Sequence, residues 1–148
     1  MKKELINPMF FVFISALLII VFYFTLPEYD LIPYPYNLIG ILIALFGFSI
    51  MGKTRKLFSK HKTPIMIKES SVLMKEGTFS WTRNPMYFGM FVLLCGFGMC
   101  FRNLFSIITP FLFILIVAMI YVPREEKILH DVFGEEYEEY RKKVRRWI

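Results

Sequence analysis

Four apolar stretches, at about 8–26, 38–51, 86–101 and 104–122, contain no charged residue. A bilayer's hydrocarbon core is about 30 Å thick, and a helix needs roughly 20 apolar residues to cross it. Without water, every backbone N–H and C=O in that core must be satisfied internally, which a helix does within one segment. The expected fold is therefore all-α: an integral membrane bundle of about four transmembrane helices, forming a single domain over 1–148. Only Arg102 and Asn103 separate the third and fourth runs, which predicts a tight antiparallel hairpin. Pro110 lies inside the fourth run, where its missing N–H predicts a kink. The composition agrees: 56% of residues are hydrophobic, above the roughly 45–50% of ordinary soluble domains.

The basic residues predict the orientation. Lys and Arg gather in cytoplasmic loops near span ends. Of 18 such residues, only Arg102 falls on the side of the 27–37 loop. Lys2 and Lys3, the eight in 53–83 and the seven in 124–146 all fall on the other. The expectation is a multi-pass protein with both termini, the loop 52–85 and the tail 123–148 in the cytoplasm. Tyr29, Tyr34 and Tyr36 suit the outer interface. No cleavable signal peptide is expected, because the run after Lys3 is too long for an h-region and no small-residue cleavage site follows it. The net charge of +6 comes from residues that flank apolar runs, so anionic membrane lipids rather than nucleic acid are the expected partner. Cys95 and Cys100 have neither a CxxC nor a metal spacing, and no metal site is expected.

Gly40, Ala44 and Gly47 share one face of the second run, and Gly89 and Gly96 one face of the third. Small residues at this spacing let membrane helices approach closely. The absence of charge inside the runs argues against coupled transport, which uses ionisable groups at depth. Polar chemistry is concentrated instead in "SSVLMKEGTFSWTRNPMY" and in the tail "PREEKILHDVFGEEYEEYRKKVRRWI". The tail predicts two amphipathic helices. Pro123 suits a first turn, Glu125 and Glu126 favour the positive end of the helix dipole, and Gly134 interrupts as a C-terminal cap. Tyr137, Tyr140, Val144 and Trp147 would share one face of the second helix, at the membrane interface. Arg83 directly precedes the third run and Glu125 directly follows the fourth. The hairpin brings them to one side of the membrane at similar depth.

Two motifs then carry a resemblance. "GTFSWTRNPMYFG" is similar to G-x-Y-x-x-x-R-H-P-x-Y-x-G, and "EEKILHDVFGEEYEEY" to E-E-x-x-L-x-x-x-F-G-x-E-Y-x-x-Y. Both patterns, in this order, belong to the isoprenylcysteine carboxyl methyltransferases and related phospholipid methyltransferases. These are integral membrane enzymes that use S-adenosylmethionine. The resemblance implies that Arg83, Asn84, Pro85 and Met86 bind this cofactor. Tyr87 would cap its polar end, Phe79 would replace a contacting Tyr, and Ser71, Val72, Leu73 and Met74 would hold the nucleoside. Glu125 falls on the cofactor-binding Glu of the tail. Phe79, Trp81 and the 72–74 stretch suit the faces of an adenine. Asn84 stands where the family has His; it can donate a hydrogen bond but cannot carry a proton near neutral pH. Tyr121 stands where the prenylcysteine enzymes have an Arg for the acceptor carboxylate. Tyr121 and Arg124 are thus the acceptor-side candidates.

The implied function is methyl transfer from S-adenosylmethionine to a lipophilic acceptor, a prenylcysteine-like carboxylate or another lipid, at the cytoplasmic membrane interface. A nicotinamide-dependent membrane reductase and a non-catalytic four-helix scaffold are the competing classes.

Overall fold

The structure, a computed structural model, describes residues 7–61 and 72–148. Among them the regular elements are helical: α1 (Pro8–Thr25), α2 (Ile39–Lys60), α3 (Pro85–Cys100), α4 (Leu104–Ile116), α5 (Val122–Phe133) and α6 (Glu135–Lys143). A π-helical turn, Val117–Tyr121, joins α4 to α5 without a break. Three stretches are long and apolar enough to cross a bilayer: Pro8–Thr25, Tyr36–Lys60 and Leu104–Phe133. The third expected span is α3, whose 16 residues rise only about 24 Å.

Local chemistry explains the helix ends. The Asn7 side chain accepts from Met9 N at 3.0 Å, and Pro8 takes the first-turn position of α1. Asn103 is fully buried at the start of α4; its Oδ1 accepts from Phe105 N at 2.9 Å while its Nδ2 donates to Leu26 O. The hairpin turn expected at Arg102 and Asn103 is present. Arg102 adopts a left-handed φ of 63°, strained for a residue with a Cβ. The loop holds it there: Nε donates to Ile32 O at 2.8 Å and Nη2 pairs with Asp30 at 3.3 Å.

The glycine faces pack as their spacing predicts. A Cβ on Gly47 would strike Leu93 N and Gly89 O, and one on Gly96 would strike Ala44 N and Gly40 O. The backbones of α2 and α3 therefore touch. Pro110, lacking an N–H, leaves the Ser106 carbonyl of α4 without its helical donor. Gly98 of α3 lies directly against that carbonyl. The Ser106 hydroxyl donates across to Ile19 O of α1 at 2.9 Å. Ile19, Met90, Leu94, Phe113 and Val117 form the core between these helices.

Two expectations need correction. The second apolar run ends at Met51, but α2 continues through Lys53, Arg55 and Lys56 to Lys60, because charge ends hydropathy and not helix propensity. This extension is where the "GTFS" turn docks. Gly77, at φ 60°, sits against Leu57, and Thr78 and Thr54 share a buried hydrogen bond of 3.0 Å. The second correction concerns the tail. Both helices form, separated by Gly134 at φ 50°. Their aromatic face turns inward, however: Tyr137 and Tyr140 are buried against Leu73, with Leu129, Phe133 and Val144 around them. Helix α6 stops at Lys143, and Trp147 lies beyond it in an irregular strap, 144–148.

Candidate cofactor and acceptor site

Pro85 starts α3, and Asn84 is its N-cap, with Asn84 O accepting from Phe88 N at 3.0 Å. Pro85 is pre-set for this position and forfeits only an N–H that would have had no helical partner. The segment 82–84 is thus fixed at the end of α3, and the tail closes over it.

The tail contributes two adjacent carboxylates, which face different partners. Tyr87 donates to Glu125 Oε1 at 2.5 Å. Arg83 Nη2 pairs with Glu126 Oε1 at 3.1 Å, and Arg83 Nη1 donates to the Tyr137 hydroxyl at 3.1 Å. Arg146 grips Glu126 from the other side, through Nε at 3.1 Å and Nη2 at 2.7 Å. Glu126 is therefore a carboxylate between two guanidinium groups. The side chains of Arg83 and Glu126 are only 9% and 15% exposed. Arg146 lies above the ordinary guanidinium pKa, first because it hydrogen-bonds Glu126. Burial pushes the Tyr137 phenol up, so it remains a neutral donor and acceptor beside Arg83.

The strap binds the same segment through its backbone. Arg83 N donates to Arg145 O at 3.0 Å. The Thr82 hydroxyl and Asn84 Nδ2 both donate to Arg146 O, at 2.8 and 3.2 Å. Next in the strap, Trp147 forms one wall of a groove of about 400 Å³ between α3 and α4. Phe88 and Phe91 line it from one side, and Phe111, Ile114 and Leu115 from the other. The lining is apolar throughout.

Of the residues singled out in the sequence, the structure brings Arg83, Asn84, Pro85, Tyr87 and Glu125 together at the first turn of α3. Met86 is half-buried against the core. Leu73 and Met74 are buried, Leu73 behind Tyr137, whereas Val72 is exposed. Ser71 lies outside the described residues. Phe79 packs against α2. Its ring meets Phe58 of α2 edge-on at 5.7 Å, its carbonyl accepts from Tyr140 at 2.6 Å, and Trp81 is exposed. Tyr121 is buried in the π turn with its ring 6.4 Å from that of Tyr87, and Arg124 is exposed. The expected juxtaposition of Arg83 and Glu125 is modified, because the direct partner of Arg83 is Glu126. Sequence reasoning also missed Tyr137, Arg146 and Trp147. The tail motif itself contained the signal for Glu126 and Tyr137, since it specifies both residues.

The chain is an all-helical membrane protein with a polar cluster at the start of α3 and an apolar groove between α3 and α4. Comparison with known sequences narrows this class. The phospholipid methyltransferase family matches residues 36–136, and the chain belongs to that family. It is 30% identical over 128 residues to a protein-S-isoprenylcysteine O-methyltransferase of Saccharomyces cerevisiae, covering 78% of this chain and 52% of that protein. Its counterpart in Schizosaccharomyces pombe is 36% identical over 76 residues, 49% of this chain and 31% of that protein. A Haemophilus influenzae protein of uncharacterised function matches along its whole length, at 33% identity over 63 residues. The chain thus spans about half the length of the budding-yeast relative and less of the fission-yeast one.

Proposed function

We propose that this chain, acting as a single domain, transfers a methyl group from S-adenosylmethionine to a lipophilic acceptor at the cytoplasmic membrane surface. The observation that carries this reading is the meeting of the two family segments. Residues 83–87 and 125–126, about 40 positions apart, interlock through Tyr87–Glu125 and Arg83–Glu126.

The donor set fits a zwitterionic cofactor. Arg83 Nε is buried and has no hydrogen-bond partner among the described residues. A buried unsatisfied donor is costly, and a carboxylate would satisfy it with a charge-assisted bond. Glu125, whose partner is the Tyr87 hydroxyl, would face a cationic ammonium or ribose hydroxyls. Asn84 would add a polar contact, Pro85 and Met86 would shape the floor, and 72–74 with Phe79 would flank the nucleoside. When bound, S-adenosylmethionine supplies an already activated methyl group on a sulfonium. The protein's task is then mainly alignment and exclusion of water. An ionised carboxylate acceptor needs no general base. Tyr121, beside Tyr87, and Arg124 would serve the acceptor side. The acceptor would be a lipid, such as the prenylated cysteine named for the yeast relatives, and it would reach the site through the α3–α4 groove.

Calorimetry on the chain in nanodiscs tests the proposal. Binding of S-adenosylmethionine is expected in the micromolar range, about −8 kcal/mol. Arg83→Ala should weaken it roughly tenfold or more, by loss of a contact worth about 1.5–3 kcal/mol. Glu125→Gln should weaken it too, while Lys75→Ala and Glu138→Gln should leave it unchanged. Heat from NADPH and none from S-adenosylmethionine would replace this reading with the reductase.

A further inference from the structure

We propose that Trp147 determines which hydrocarbon chain the α3–α4 groove admits, and that the Arg146–Glu126 pair latches it in that position. That the chain in the groove belongs to a methyl acceptor rests on the methyl-transfer reading; the groove and its latch do not. The groove faces the bilayer. Phe111 and Leu115, on its α4 side, are each more than half exposed on a helix long enough to span it. The medium bathing that side is acyl chain. Five of the six named lining groups belong to α3 and α4. The sixth, Trp147, arrives from the strap, more than 25 residues further along the chain. Trp147, a wall of the groove, directly follows Arg146 of the Arg83–Glu126–Arg146 cluster. An apolar groove whose Trp147 wall is one residue from a charged cluster matches an amphiphile with one chain and a polar head. A neighbouring helix would have no use for the charged cluster.

The latch is built from several contacts. Arg146 holds Glu126 with two nitrogens, and its carbonyl accepts from both Thr82 and Asn84. Residue 147 therefore follows a residue fixed on both its side chain and its backbone. The indole is half-buried and also touches the core between α1, α3 and α4. Its position sets how far a chain can enter beside Phe88. Hydrophobic walls discriminate in this way: one methylene more or less changes relative rates about tenfold or more.

The chain carries two tryptophans, so Trp81→Phe leaves Trp147 as the sole indole, read by excitation at the red edge where tyrosine does not absorb. The full chain in phosphatidylcholine nanodiscs with dibrominated acyl chains should lose most of its emission relative to unbrominated nanodiscs, because bromine quenches on contact. Arg146→Gln should shift the emission to the red and reduce that loss as the indole leaves the groove. Equal emission in the two lipids would overturn the lipid occupant. So would a two-copy assembly cross-linking through Phe111 and Leu115, which would place a second chain in the groove. An Arg146→Gln spectrum identical to the parent would overturn the latch. On an acceptor series of graded chain length, Trp147→Ala should move the preference toward longer or bulkier chains by about tenfold in relative kcat/KM, and Trp147→Phe should largely restore it. A uniform loss across the series would overturn the specificity role. If no acceptor is methylated by the parent chain, the proposed function fails, and the quenching data still decide the groove.

Discussion

Glu126→Gln tests whether the polar cluster is the buried device described above. The substitution keeps the size of the side chain and removes one charge. Arg146, 40% exposed, can turn to water. Arg83, 9% exposed, cannot, and it becomes an uncompensated buried cation. Breaking a buried pair from one side costs about 3–5 kcal/mol. The lower end applies here, since Gln retains a carbonyl acceptor and the Tyr137 hydroxyl still accepts from Arg83. For a chain of about 150 residues, about 3 kcal/mol corresponds to a Tm lower by roughly 6–12 °C. Glu125→Gln should cost less than about 1 kcal/mol, because its amide oxygen can still accept from Tyr87. Thermal unfolding in detergent, followed by circular dichroism, compares the two adjacent variants under identical conditions. The double variant Arg83→Met/Glu126→Leu should recover much of the loss, since removing both charges together leaves neither stranded. If Glu126→Gln melts with Glu125→Gln, or if the double variant melts lower than Glu126→Gln, the pair is not the buried unit described here.

Gly47→Ala should destabilise by about 1–3 kcal/mol through overpacking of the α2–α3 contact. Gly52→Ala, which meets nothing within 4 Å among the described residues, should be neutral or stabilise by about 0.5–1 kcal/mol, and a melting comparison separates them. Membrane-impermeant thiol labelling of intact cells should reach a cysteine placed at Tyr29 and spare ones at Lys60 and Glu138; the opposite pattern reverses the proposed orientation. Glu76 is held below the ordinary glutamate pKa by hydrogen bonds from His61 and Lys60 and by the Lys60 charge. Its contribution to stability is therefore present at neutral pH and fades as pH falls through its lowered pKa. The small Tm gap between the parent and Glu76→Gln should close on acidification and not on raising the pH.

The parts of the fold readable in the sequence were those decided by local composition. The apolar runs at 8–26 and 86–101 coincide within a residue with α1 and α3, and the glycine faces meet as spaced. Helix α2 was read too short, since hydropathy marks where lipid ends and Lys53–Lys60 carries no helix breaker. The choice between Glu125 and Glu126 was illegible for a geometric reason. Adjacent residues on a helix point about 100° apart, and the π turn before them shifts the phase by an amount no composition reveals. The strap was misread because Val144 and Trp147 fit a helical face with Tyr137 and Tyr140. What ends the helix is a set of non-local hydrogen bonds from Thr82, Arg83 and Asn84 to the carbonyls of Arg145 and Arg146.

The π turn at Val117–Tyr121 also has a consequence for how such chains can change over time. A π turn holds one residue more than an α turn in the same helix. Deleting that extra residue would close the turn to α and leave α5 near its present phase, whereas deleting a residue from α4 or α5 proper would rotate everything after it by about 100°. Glu126 would swing away from Arg83, and the tail would present a different edge to 82–84. An insertion in the exposed 27–37 loop carries no such penalty, since that loop connects helices without setting their phase. Length variation among related chains should therefore accumulate in that loop and at the π turn, and be absent from the α-helical remainder of Leu104–Gly134, where each residue counts as an angle.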